Sequence, residues 1–355
     1  MDTVLLSRGD VASLLTIDEC IGAVENAFGL YAEGKALPPK VLGLHCDNGG
    51  FHIKAGILGT DRSYFVAKVN ANFPGNPKQH GLPTIQGVIV VCDAIDGRLL
   101  ALMDSIEITI IRTGAATGVA AKYLAPVNAT VATICGCGNQ GRISVRALMK
   151  VRKLEKLFAF DIDKVQAENF RREFAGEIEV VTVEINDLPA ALLQSHIIVT
   201  CTPSKEPFIL ARNIMPGTFV AAVGADNEDK CELFPELLAS NKVITDITEQ
   251  CASIGELHHA IDSKLMMKFE VHAEIGEVIV RQKPGRISDE EIIIFDSTGM
   301  ALQDVAAAAI VYEKAIANGL GNKMNFSEQE SNSRPDILKK NEKDINALRR
   351  WFPFR

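Results

Sequence analysis

Apolar positions recur every three to four residues between 10 and 34, where Val11, Leu14, Leu15, Ile21, Val24 and Phe28 line one side of a predicted helix. After ALPPK the period shortens to two. FHIKAGIL alternates, so His52 and Lys54 share one strand face while Phe51 and Ile53 share the other. YFVAKVNANFP follows with Lys68 and Asn70 on one face. The apolar runs GVIVVCD and RLLALMD flank AIDG, whose Asp96-Gly97 step signals a hairpin. Antiparallel strands therefore dominate this first region. Residues 105–125, SIEITIIRTGAATGVAAKYLA, read as a helix rich in small residues that ends before Pro126.

Beyond Pro126 strand and helix patterns alternate. ATVATIC leads into the helix RISVRALMKV, and KLFAFDID into KVQAENFRREFA. EVVTV, SHIIVTCT, TFVAAVGAD, KVITD and EIIIFDSTG read as five further strands. Strands that are apolar on both faces and alternate with helices predict a parallel sheet covered on both sides. The helix MALQDVAAAAIVYEKAIANGLG stops at Gly319 and is expected to return to the first region. Residues 327–347 turn polar, as mobile tails do, and the terminal RRWFPFR holds the only tryptophan and is a candidate docking segment.

Composition narrows the function classes. A chain of 355 residues, 47% hydrophobic, is long enough for two domains. The net charge of −8 gives no electrostatic attraction to nucleic acid or an anionic membrane. No apolar run reaches the roughly 18 residues of a spanning helix. MDTVLLSRGD places acid before a very short apolar run, unlike a signal peptide. Eight scattered cysteines without a C-x-x-C pair fit a reducing cytoplasm. Neither they nor the seven histidines, the His258-His259 doublet included, have metal-ligand spacing.

TICGCGNQGRIS, residues 133–144, carries Gly136, Gly138 and Gly141 in G-x-G-x-x-G spacing, with Asn139 and Gln140 in the same turn. The motif alone could be an unliganded glycine loop. Here it follows a β-branched strand and opens a helix, the context of a dinucleotide turn whose helix N-terminus receives the pyrophosphate. Asp161 ends the next strand, 20 residues after Gly141, where a carboxylate bonds the adenosine ribose and repels a 2′-phosphate. This predicts NAD(H), with Asp163 an alternative ribose partner and a turn cap the competing role for Asp161.

Ligands of open parallel sheets sit at the carboxyl ends of the strands. VTCTPS brings Thr202 to that edge, and VAAVGAD brings Val223, Gly224 and Asp226. Asp226 would exchange a proton with an ammonium or with attacking water, or else would cap the segment that follows. Lys68, alone in an apolar strand, belongs either to a site or to an exposed strand face.

KVNANFPGNPKQHGLPTIQGVIVVCDAIDGRLLALMDSIEITIIRTGAATGVAAKYLA, followed in order by GCGNQG, AVGADNEDKCEL and FDSTGMALQDVAAAA, resembles the ornithine cyclodeaminase/μ-crystallin family over roughly residues 1 to 322. That family includes archaeal-type alanine dehydrogenases and imine reductases. The resemblance implies a Rossmann-type doubly wound parallel sheet, residues 126–301, inserted in a mixed, largely antiparallel α+β domain for substrate and dimerisation, residues 1–125 with about 302–355. It implies a homodimer and hydride transfer between NAD and the α-carbon of a small L-α-amino acid. Asp226 becomes the catalytic acid/base, and Lys68 meets the substrate carboxylate or its carbonyl or imine group. Arg112 lies near cofactor phosphates and substrate, and Thr84 on the nicotinamide side. Lys230 and Ser297 are further cofactor contacts.

Many members carry an arginine after the PP step, where this chain has Lys40, a point charge without the fork of a guanidinium. Lys54, beside His52, offers a replacement cation, against a reading of both as exposed strand residues. Such sites support amino-acid dehydrogenases and imino-acid reductases, cyclodeaminases that recycle their hydride, and non-catalytic binding proteins of the μ-crystallin type. Lys68, Arg112 and Asp226 together argue against the last. Lys40, His52 and Lys54 tilt the expected substrate from cationic ornithine toward a neutral or acidic amino acid.

Overall fold

The structure is a computed structural model that describes residues 2–59 and 62–326. The polar stretch 327–347 and the terminal RRWFPFR lie outside the described residues. The predicted helix over 10–34 is two helices, Arg8–Leu14 and Ile17–Ala32. Thr16 interrupts it: its hydroxyl accepts from the Glu19 N–H while Glu19 reaches back to the Thr16 N–H, a reciprocal cap that starts a new helix.

The first sheet contains β1 (Thr3–Leu6), β2 (Lys40–Cys46), β3 (Gly49–Gly59), β4 (Ser63–Asn72), β5 (Ile85–Asp93), β6 (Leu99–Asp104) and β15 (Asn322–Met324), in the order β15-β1-β6-β5-β4-β3-β2. Its pairings are antiparallel except between β1 and β6. The hairpin from β5 to β6 turns at Gly97, whose φ of 76° is left-handed. Pattern reading missed β1 and β15, which are short and pair with each other from opposite ends of the fold.

The second sheet is wholly parallel. It contains β7 (Val131–Cys135), β8 (Lys156–Phe160), β9 (Glu179–Val183), β10 (Ile197–Thr200), β11 (Phe219–Ala222), β12 (Lys242–Thr245), β13 (Ala273–Glu274) and β14 (Ile293–Asp296), in the order β13-β12-β14-β11-β10-β7-β8-β9. Each strand predicted for this region forms. The chain runs outward from β7 through β9, then resumes at β10 on the other side of β7, so a switch point falls between β7 and β10.

Two helices join the sheets. Ile106–Leu124 is almost wholly buried, and its small residues let Asn139–Val151 approach closely: a methyl on Gly114 would stand 2.6 Å from Ile143. Ala301–Asn318 returns from the parallel sheet to pack on β3 and β4 and ends at left-handed Gly319, as its sequence predicts.

Candidate active site

At the switch point two of the three glycines of the turn have a steric reason to be glycine, and the third stands in the open. Gly136 has φ 104°, and a Cβ there would stand 2.9 Å from the Cys201 carbonyl oxygen. A Cβ on Gly141 would stand 2.0 Å from the Gly136 carbonyl oxygen. Gly138 precedes the helix Asn139–Val151 and has open space where its side chain would be. A cradle of free N–H groups with one side open fits a pyrophosphate. Asn139 is exposed, whereas Gln140 holds a buried Oε1 with no protein partner.

Asp161 faces this turn. Its carboxylate accepts from the Cys137 N–H at 2.8 Å and from the Asp163 N–H at 2.9 Å. Asp163 instead caps the helix Lys164–Glu173 through the Val165 N–H. Of the two carboxylates, Asp161 is the one fastened to the glycine turn.

Glu232, which pattern reading missed, sits between the turns that follow β10 and β11. One Glu232 oxygen accepts from both the N–H and the hydroxyl of Thr202 at 2.7 Å, and a Cβ on Gly224 would stand 2.3 Å from the other. Burial raises Glu232 to about 7 against the opposing pull of the Thr202 bonds. Val223 is buried beside this turn, and its N–H donates to the Thr200 carbonyl. Lys230 bonds the Gly224 carbonyl at 3.2 Å and the Asp226 carboxylate at 2.6 Å.

Asp226 caps no helix; the turn after it is closed by Asn227, which accepts from the Asp229 N–H. Burial pushes Asp226 upward, but Lys230, then Lys54 and His52, outweigh it and hold the carboxyl below its ordinary range. Those last two groups stand on β3 of the other sheet, so Asp226 lies within electrostatic reach of that strand.

There the β3–β4 register sets Lys54 opposite Lys68 and His52 opposite Asn70, all on one face. Lys68 and Lys54 are 2% and 7% exposed, which excludes an exposed strand face for either. Lys54 donates to the carbonyls of Thr298 and Gly299, each at 2.8 Å. Lys68 meets Asp304 at 2.7 Å, and the same oxygen lies 3.2 Å from Nε of Arg112. Burial pulls Lys68 down to about 7, Asp304 opposes, and Arg112 and Lys54 add to the fall. Half-buried His52 is lowered by burial, with Asp226 opposing.

Lys40 stands apart from the other cations. It pairs with Ala55 rather than Lys54, so the strand alternation turns it to the opposite sheet face from Lys54 and Lys68, where it is exposed. It is not brought into the cluster; Lys54 is the additional cation that is. Thr84 is half-buried just before β5, where its carbonyl accepts from the Phe73 N–H. Ser297 is buried and gives its hydroxyl to Asp246, which also receives the Gly299 N–H. Gly299 has φ 83°, and a Cβ there would stand 2.5 Å from the Arg112 guanidinium.

Asp304, Glu232 and Asp246 thus support the residues that sequence reading selected. The signal that could have found Asp304 is a carboxylate among alanines in a helix expected to be buried.

Among known proteins the chain is 40% identical to alanine dehydrogenase of Archaeoglobus fulgidus over 329 residues, covering 92% of this chain and 99% of that protein. A solved archaeal alanine dehydrogenase dimer with bound NAD superposes with a TM-score of 0.87 at 38% identity, over 92% of this chain and all of that one (100%). The Δ1-pyrroline-2-carboxylate reductase of Thermococcus litoralis, solved with NADH and L-proline, gives 0.85 at 33% identity, over 91% and 100% of the two chains. The family model of the ornithine cyclodeaminase/mu-crystallin family matches residues 1–319, and the chain belongs to that family.

Proposed function

We propose that this protein is an NAD(H)-dependent oxidoreductase acting at the C–N bond of a small L-α-amino or imino acid. One observation carries the reading: buried Lys68 and Arg112 meet at the carboxylate of Asp304, and buried Lys54, opposite Lys68 on the next strand, acts on Asp226 of the other sheet. Lys54, Lys68 and Arg112 clustered on one side of the site favour an anionic ligand, and the α-carboxylate of an amino acid supplies one. The glycine turn, with Asn139, Gln140 and Asp161, takes the NAD(H), and Thr84, Thr202, Val223, Gly224, Lys230 and Ser297 line its nicotinamide half. When bound, the cofactor accepts the α-hydrogen as hydride or returns it.

The chain's own groups do the rest. Lys68 and Arg112 hold the carboxylate and the carbonyl or imine group, while Lys54 fixes the turn that carries Ser297. Asp226, kept ionised by Lys230, takes a proton from the substrate ammonium or from the water that attacks the imine. The buried cations also repel a side-chain ammonium, which favours net oxidation or reduction over cyclisation of a diamino acid.

Residues 1–125 with about 302–355 serve as the substrate and dimerisation domain, and 126–301 as the cofactor domain. On the sheet face away from the cleft, Leu42, Leu44, Phe51 and Val88 are 52%, 53%, 39% and 38% exposed, an apolar surface suited to a second copy. Among the described residues no helix is long and apolar enough to cross a membrane. Eight free thiols support a reducing cytoplasm.

The test supplies L-amino acids in excess of NAD and follows ammonia and NADH together. Equal yields of the two, capped by the NAD supplied, are expected. Ammonia far above the NAD supplied, without lasting NADH, would mean a cyclodeaminase, and neither product from any substrate would remove the catalytic reading.

A further inference from the structure

Asp304 touches neither the cofactor crevice nor Asp226, yet two of the three cleft cations depend on it. Its Oδ1 lies 2.7 Å from Lys68 Nζ and 3.2 Å from Arg112 Nε, and its side chain is 1% exposed. The neighbouring Gln303 accepts from Arg112 Nη1 at 3.0 Å, so successive residues of one helix hold the guanidinium. Asp304 Oδ2 and Gln303 Nε2 are buried without partners. A buried ion pair is a poor device for stability alone, because apolar residues of similar size usually serve as well. The same helix supplies Ala306, Ala307 and Ala308 to the core a turn further on.

We propose that Asp304 is a positioning residue for the reaction: its Oδ1 anchors the Lys68 ammonium by a hydrogen bond and stands beside the Arg112 guanidinium as its counter-ion, so that one carboxylate sets where both cations stand. The proposal rests on the function proposed above. The groups facing this oxygen are Lys68 from β4, Lys54 from β3, Arg112 from the helix Ile106–Leu124, and Cys20 from the helix Ile17–Ala32, whose thiol burial holds neutral at about 12. Among the described residues Asp304 is the carboxylate that pulls on Lys68, while Arg112 and Lys54 both press it to release its proton. Without Asp304, Lys68 would stand between two cations with nothing to hold its charge or direction.

The experiment labels the full-length protein with lysine carrying carbon-13 at Cε and follows Lys68 through a pH titration, with Lys68→Met assigning its signal. Asp304→Asn is expected to move the Lys68 midpoint and the alkaline limb of kcat/KM together to lower pH, by about one unit or more. It is also expected to lower kcat/KM about tenfold or more while NAD affinity stays within about twofold. Asp304→Glu should restore part of both. An unchanged Lys68 midpoint in Asp304→Asn, or an activity loss equal at every pH, overturns the proposal. Should Asp304→Asn fail to fold, Asp304→Glu carries the test: a displaced midpoint is expected, and a wild-type midpoint with wild-type kcat/KM overturns it. The titration needs no substrate. A chain inactive on every amino and imino acid would therefore sink the proposed function, while the midpoint still decides the place of Asp304.

Discussion

Lys54 and Thr298 stand 244 positions apart in the chain, yet the Lys54 ammonium donates to the Thr298 carbonyl at 2.8 Å. With the equal bond to Gly299, this ties β3 of the first sheet to the turn after β14 of the second. Lys54→Met keeps the buried stem and removes both bonds. It should lower kcat/KM at least about tenfold and reduce the melting temperature by a few degrees, since two buried carbonyls lose their donor. Wild-type values in steady-state kinetics and calorimetry would show that the tie does not hold the site.

The Asp226 carboxyl, 42% exposed, is held below the ordinary aspartate range because Lys230, Lys54 and His52 outweigh its partial desolvation. A lowered carboxyl pKa places the acid limb of kcat/KM at low pH, the active carboxylate being present above it. Lys230→Met removes the closest cation, so the limb should move to higher pH. Asp226→Asn should reduce kcat about a thousandfold with NAD affinity nearly unchanged. A pH profile that Lys230→Met leaves in place would refute Lys230 as the group that sets the charge.

The glycine turn yields a contrast between two alanine variants. Gly138→Ala meets open space, so the melting temperature should hold while NAD affinity drops about tenfold or more. Gly141→Ala drives a methyl into the Gly136 carbonyl, so stability itself should fall. Titration of NAD by fluorescence and thermal denaturation, run on both variants, separate the two effects.

Glu232 is buried and raised to about 7. An acid raised by folding binds its proton in the native state over a range where the unfolded chain has lost it. Stability therefore falls as pH rises from the ordinary glutamate value toward 7. Glu232→Gln keeps an acceptor for Thr202 and removes the titration, so the melting temperature should depend less on pH in that window. A slope as steep as the wild type's would assign the penalty to Glu256 or Asp296, which burial also raises.

Leu44, 53% exposed in the apolar face of β2 and β3, offers a direct check of the proposed dimer. Leu44→Asp should halve the mass measured by light scattering, because a buried unpaired carboxylate is costly at a symmetric contact. A wild-type mass would place the interface elsewhere.

How much of this was written in the sequence depends on the range of each interaction. The parallel strands and the glycine turn are legible because strand, turn and helix follow one another within a few residues. TIDE even contains the reciprocal cap that breaks the first helix, but continuous apolar spacing from Val11 to Phe28 masks it. β15, which reads NKM, has no strand pattern and forms because β1 offers it a backbone partner. Lys40 shows the opposite case. Its place after the PP step suggested a role, and the pairing with Ala55 turns it away from the cleft.

Synthesis runs from the amino end, and that order bears on the C-terminal helix Ala301–Asn318. Lys54, Lys68 and Arg112 are all made long before Asp304. The parallel sheet and its nucleotide turn can be completed on the ribosome while Lys68 and Arg112 still lack their shared carboxylate and β1 still lacks β15. The strands around the glycine turn are thus made early, and Asp304 and β15 come from some of the last described residues. A chain that stops after β14 holds every strand of the parallel sheet and its glycine turn, but neither Asp304 nor the strand that completes the edge beside β1.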